Sequence, residues 1–267
     1  MTEERNDTWA AGKLYEPYVG RWSRLVARDF LAWLDLPPNL DWLDVGCGTG
    51  ALTETILQQT QPRSVTGIDH SAAFVEHARA HIADAKATFE VADAQALPVE
   101  SGRFDVAVSG LALNFVPDPS LAVREMGRAV GRRGMVAAYV WDYAGKMELM
   151  RYFWDAAVEL DRGARELDEG RRFPLCEPIP LAALFRKAGL REIQVHAIDV
   201  PTRFPDFDDF WTPFLGGQGP APGYAMSLGE ERRDALRDRI RAKLPIASDG
   251  SVDLIARAWA VRGRVLQ

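Results

Sequence analysis

The chain has 267 residues, 47% of them hydrophobic, enough to bury a substantial core in one elaborated domain. Its 32 Lys and Arg against 38 Asp and Glu give a net charge of -6, which removes the global basic field that nucleic acid would need. Two cysteines, Cys47 and Cys176, are too few for a disulfide framework or a zinc ribbon, and no apolar run approaches a membrane span. The polar opening from Met1 to Lys13 lacks the basic start and apolar run of a secretory signal, so a soluble cytoplasmic protein is expected.

Tyr15, Tyr18, Trp22, Leu25, Val26, Phe30 and Trp33 recur mostly every three or four residues and predict helix over 11–34, with an interruption near Gly20 and a stop at Pro37 and Pro38. A strand is expected at 41–45, then a glycine loop, then a helix over 51–59 with Leu52, Ile56 and Leu57 turned inward. Residues 65–69 read as a strand, and 70–85 as a helix capped by Ser71 with Phe74, Val75, Ala78 and Ile82 as its apolar stripe. Strands at 89–92 and 104–113 follow, the second apolar enough for burial on both faces. A helix over 119–130, closed by Gly131 and Gly134, leads to a strand at 135–141. This alternation predicts an α/β chain built on a doubly wound parallel sheet.

Beyond 141 the pattern is less regular. Helices are expected at 145–168 and 179–189, a strand near 192–200, an amphipathic helix over 230–243 and a last strand over 251–265. Phe204, Phe207, Phe210, Trp211 and Phe214 form an aromatic segment, followed by a loop with Gly216, Gly217, Gly219, Pro220, Pro222 and Gly223. That segment suits a lid over an apolar acceptor, or equally a short helix packed on the sheet or in a homodimer contact. One domain is expected over 1–267, with a helical cap at 1–39, a cofactor core at 40–142 and the acceptor side at 143–267.

The chemistry concentrates at Trp-Leu-Asp-Val-Gly-Cys-Gly-Thr-Gly, residues 42–50. Gly46, Gly48 and Gly50 clear side chains from a tight turn, so bare backbone can lie against a ligand. With Ala51 in the third place the loop also satisfies the dinucleotide fingerprint, which keeps an NAD-dependent oxidoreductase open. Asp44 separates the two: its carboxylate repels a pyrophosphate and holds a ligand ammonium. Asp69, ending the second strand, can accept paired hydrogen bonds from a ribose. Asp93, after the third strand, can accept an adenine amine while the backbone N-H of Ala94 meets a ring nitrogen.

Asp-Val-Gly-Cys-Gly-Thr-Gly, Gly-Ile-Asp-His-Ser, Ala-Asp-Ala-Gln-Ala-Leu-Pro and Phe-Asp-Val-Ala-Val-Ser-Gly, in this order, resemble the class I S-adenosylmethionine-dependent methyltransferases. The likeness is to the small-molecule group that includes the ubiquinone and menaquinone C-methyltransferases. It is carried by residues 40 to 142, and only weakly by the ends. It implies a Rossmann-like, mostly parallel seven-stranded sheet with an antiparallel last strand, an N-terminal helical segment, a helical and aromatic insertion before that strand, and S-adenosyl-L-methionine as cofactor. By the resemblance, the Gly46, Cys47, Gly48 and Gly50 loop carries the methionine moiety and Asp44 its amino group. Asp69 takes the ribose, Asp93 with Ala94 the adenine, Ser109 lies under the cofactor, and His70 is a further cofactor-binding candidate. Tyr15, Tyr18, Arg21 and Trp22 would close over it.

An activated sulfonium asks for little beyond in-line positioning and exclusion of water, so no triad is needed and no catalytic residue is named. Trp141, Asp142, Tyr143 and Trp211 are acceptor-side candidates for a small, partly apolar substrate. Asp142 could as well cap a loop, and Trp141 could be a buried strand end. No metal is expected: His77 and His81 lack a third ligand, and His196 reads as a satisfied sheet residue. A noncatalytic S-adenosylmethionine-binding module is the other alternative.

Overall fold

The computed structural model describes residues 20–217 and 219–266. Tyr15 and Tyr18 lie outside the described residues. In chain order the elements are α1 (Arg21–Leu34), β1 (Asp41–Val45), α2 (Ala51–Gln59), β2 (Ser64–Asp69), α3 (Ala72–His81), β3 (Ala87–Val91), β4 (Phe104–Gly110), α4 (Pro119–Ala129) and β5 (Val130–Trp141). They continue as α5 (Glu148–Leu160), α6 (Glu169–Arg172), α7 (Pro178–Lys187), β6 (Arg191–Phe204), α8 (Phe207–Trp211), α9 (Pro220–Ser227), α10 (Glu230–Lys243) and β7 (Val252–Arg264).

The seven strands form one sheet in the order β3-β2-β1-β4-β5-β7-β6. β1 pairs in parallel with both β2 and β4, β2 with β3, and β4 with β5, whereas β7 runs antiparallel to β5. The strand order reverses at β1, so the crevice beyond its carboxyl end is where a doubly wound sheet receives its ligand. Central strands covered by helices on both faces must be apolar on both. All five residues of β1 are buried, and only Asp105 of β4 is exposed.

Contacts divide the chain into two compact units. The core unit comprises Ser23–Trp141, Leu175–Ile198 and the chain from Ala258. Ser71 caps α3 as its position predicts, accepting from the Phe74 N-H at 3.4 Å. Strand β5 starts at Val130, so Gly131 and Gly134 lie inside it rather than closing α4. The β4–β5 register shifts between Phe104 and Val106 and accommodates them.

The second unit holds Asp142–Pro174 and Asp199–Arg257 together with Arg21 and Trp22. Here the aromatic segment is core: Phe204, Phe207, Phe210, Trp211 and Phe214 are all buried. Phe153 of α5 stacks on Phe214 with centroids 4.6 Å apart, and Phe210 sits 5.2 Å from Phe204. The stretch read as a Gly/Pro loop contains α9, because Pro220 occupies its first turn, where no N-H is needed. The helix expected over 145–168 breaks at Asp161, whose carboxylate accepts from the Gly163 N-H at 2.9 Å and opens a 3-10 turn.

Candidate functional site

Between β1 and α2 the chain turns on Gly46, Gly48 and Gly50, with φ of 75°, 53° and 93°. All three are left-handed, the region that glycine enters without steric cost. A Cβ on Gly46 would stand 2.5 Å from the Ala112 Cβ, so close packing against the β4 exit also requires glycine there. At Gly48 a Cβ would meet nothing within 4 Å, so its bare backbone borders open space. The loop is tied to β2 from below, where the N-H groups of Gly46 and Cys47 donate to the Ile68 carbonyl at 2.7 and 3.0 Å. Among the described residues no side chain caps α2, which leaves N-H groups of its first turn for an anionic ligand group.

Asp44 is fully buried below this loop. Its Oδ2 accepts from Thr53 Oγ1 at 2.7 Å, and its Oδ1 has no partner among the described residues. Burial, and then the nearby charge of Asp69, pushes its pKa up to about 7. An unmatched acceptor on a buried acid is satisfied by the N-H donors of a ligand ammonium. Thr53 was invisible to motif reading. Its signal was a hydroxyl residue facing the sheet one turn into the following helix.

Asp69 is nearly buried and holds the loop: Oδ2 accepts from Gly48 N and Oδ1 from Ser71 N, both at 2.9 Å. Each oxygen keeps a lone pair for a further donor. Next to it His70 is exposed, its Nδ1 3.4 Å from Asp69 Oδ1. Asp93 is exposed after β3, with Oδ1 accepting from Gln95 N at 2.8 Å; that bond and the Gln95 side chain hold its pKa below the usual value. Ala94 is half-buried. Ser109 is buried on β4, and its Oγ would lie 3.9 Å from a Cβ on Gly46. Cys47 points away into a cluster with Val75, Ala78 and Phe89, and burial raises its thiol pKa. Thus Asp44, the three glycines, Asp69 and Ser109 converge on the β1 loop, and the residues fit a nucleoside ligand that carries a free amino-acid end.

The acceptor-side candidates are more scattered. Trp141 is buried at the end of β5, paired with Ala258. Asp142 organises a turn, its Oδ2 accepting from Lys146 N at 2.9 Å and its backbone carbonyl from Met147 N at 2.9 Å. Tyr143 packs 5.7 Å from Phe173, and Trp211 lies 5.9 Å from Phe214. Trp22 is buried against Phe204 at 5.6 Å. His77 and His81 stack at 3.9 Å, and among the described residues no group of three potential metal ligands forms. His196 stacks on Trp33 at 5.5 Å.

A glycine loop after β1, acids after β2 and β3 and an antiparallel β7 define a nucleotide-cofactor protein of the methyltransferase architecture. Residues 43–138 match the Methyltransferase domain family. Trans-aconitate 2-methyltransferase of Deinococcus radiodurans is 38% identical over 82% of this chain and 85% of its own length. The chloroplastic 2-methyl-6-phytyl-1,4-hydroquinone methyltransferase 2 of Oryza sativa is 34% identical over 67% of this chain, and the match covers 47% of that relative. The chain spans about half the length of several curated relatives it matches. In fold, it resembles the YcgJ protein of Bacillus subtilis at a TM-score of 0.61 and 16% identity, over 91% of this chain and 99% of that one. The chain belongs to the S-adenosylmethionine-dependent methyltransferases, and S-adenosylmethionine is the cofactor of that family.

Proposed function

We propose that this protein transfers a methyl group from S-adenosylmethionine to a small, partly apolar organic acceptor. The observation that carries the reading is the half-satisfied Asp44 under a side-chain-free glycine loop, a pairing that suits an ammonium-bearing ligand and disfavours a pyrophosphate. The bound cofactor supplies a methyl group on a sulfonium, which is already activated for in-line attack. Asp44 and the loop would hold the amino-acid end, Asp69 the ribose and Asp93 the adenine. Around the acceptor the chain has to position and to exclude water, and aromatic walls do both. Asp142 is committed to its turn, which supports a scheme without a general base.

The two relatives named above act on a hydroquinone and on trans-aconitate by name, so they support the reaction class and leave the acceptor to experiment. Among the described residues no helix is long and apolar enough to cross a membrane, and both cysteines are free and buried. A cytoplasmic enzyme, with no nucleic-acid partner, is the setting we infer; a homodimer is compatible with it. The test is incubation with methyl-labelled cofactor and a small-molecule extract. Label in an extractable small molecule, with matching S-adenosylhomocysteine, is the expected result. Cofactor binding with no transfer to any fraction would instead support a noncatalytic module.

A further inference from the structure

Within the second unit, a cavity of about 510 Å³ opens between α5, the 3-10 turn at Arg162–Glu166, α6 and the end of α10. Val158 is the one aliphatic side chain among the described residues that line it, so it does not suit an uncharged apolar ligand. Its three acids are already matched by cations. Asp168 accepts from Nη1 and Nη2 of Arg151 at 3.0 and 2.8 Å, and Asp155 Oδ1 lies 3.5 Å from the same Nη2. Glu159 pairs with Lys243 and accepts from Arg239 Nε at 2.7 Å, and those two cations hold its carboxyl below the usual range.

Arg165 and Arg171 are different. Both line the cavity and both are exposed, and among the described residues no acceptor engages either guanidinium. Taking the lining side chains with their ion-pair partners, five cations stand against three acids. The cavity therefore carries an excess of two positive charges in a chain whose net charge is -6. Arginine does not shed its proton, so two unpaired guanidinium groups in one concavity repel each other until an anion lies between them. A dianion matches that excess, and a phosphate offers the several oxygens that two guanidinium forks can grip in pairs. A long polyanion would meet the flanking acids as well, whereas a single phosphate group need not.

We propose that this cavity is an anion site that takes the phosphate group of a small phosphorylated molecule through Arg165 and Arg171. It shares no residue with the glycine-loop site, and the assignment does not depend on methyl transfer. Arg151 takes no part, because its fork is closed on Asp168. Lys243 and Arg239 neutralise Glu159, which keeps that acid from repelling the ligand.

The test is calorimetric titration of the full chain with glycerol 2-phosphate, pyrophosphate and inorganic phosphate at fixed ionic strength, with acetate as a monoanion for comparison. Glycerol 2-phosphate or pyrophosphate is expected to bind at one site per chain, more tightly than inorganic phosphate, and acetate is expected not to bind. Arg165→Gln and Arg171→Gln should each weaken that binding about three- to tenfold, and the double variant should abolish it. Neither side chain has a partner to lose, so Tm should not change. Arg171→Lys keeps the charge without the fork and should also weaken binding. Arg162→Gln removes the same charge from the same turn at a position that does not line the cavity, and should leave affinity within about twofold. No binding of any phosphate, unchanged affinity in the double variant, or an equal loss in Arg162→Gln would each overturn the site. Inorganic phosphate binding as tightly as the other two would overturn its assignment to a phosphorylated molecule.

Discussion

Asp44→Asn separates the binding and folding roles of the buried acid. Its pKa is raised in the fold from 3.8 to about 7, so folding favours the protonated form and the sign is opposite to that of a salt-bridged carboxylate. The native state is least penalised below about pH 4, and stability is lost as pH rises through about 7. A gap of about 3 pH units corresponds to a cost on the order of 4 kcal/mol above pH 7. Asparagine keeps an oxygen for Thr53 and carries no charge, so the unliganded variant should be more stable than wild type at pH 7.5 and nearly equal to it at pH 4. Cofactor binding runs the other way, because an ammonium needs the ionised form. With a pKa of about 7, the ionised fraction rises from about 3% at pH 5.5 to about 75% at pH 7.5, which predicts a rise of about 25-fold in S-adenosylhomocysteine affinity across that window. In Asp44→Asn the pH dependence should flatten, with affinity at pH 7.5 lower by about 10- to 100-fold for a lost charged hydrogen bond. Calorimetric titration and thermal melts at four pH values read both effects. Equal pH slopes in wild type and variant would refute the role given to Asp44.

Other substitutions test neighbouring parts of the site. Gly48→Ala places a Cβ in open space at φ 53°, so thermal melts should show a loss of only about 1 to 2 kcal/mol, while titration should show clearly weaker S-adenosylhomocysteine binding. Asp69→Ala frees the amides of Gly48 and Ser71 and should lower both Tm and affinity, whereas Asp93→Ala, at an exposed position, should lower affinity with little change in Tm. Unchanged affinity in both would undo the nucleoside assignment. Glu169 is buried with the Trp154 indole N-H donating to it, and burial raises its pKa to about 7. Glu169→Gln keeps an acceptor for Trp154 and should raise Tm at pH 8, where the native carboxylate is penalised, but not at pH 4.5.

The sheet from β1 to β5 was legible because its strands are short apolar runs separated by helices with a 3.6-residue stripe, and because Gly46, Gly48 and Gly50 mark a turn that few other residues can make. What periodicity could not show was nonlocal pairing. Arg21 and Asp209 lie 188 positions apart, and nothing near either one announces the other. The aromatic density of 204–214 measured how much apolar surface had to be covered without saying what covered it; Phe153 of α5 turned out to be part of the answer. Helix α9 was hidden because proline and glycine usually signal a loop, although a proline in a first turn costs a helix nothing. In the site, the glycines and the acids at strand ends could be read from spacing, since the winding of the sheet brings them together. Thr53 could not, because its importance lies in one hydrogen bond to Asp44.

Paired titrations of the purified protein with S-adenosylhomocysteine and with NAD test the central claim most directly. The account predicts saturable binding of S-adenosylhomocysteine at one site per chain, weakened by Asp44→Asn, and no comparable binding of NAD. Tight NAD binding with none of S-adenosylhomocysteine would contradict it.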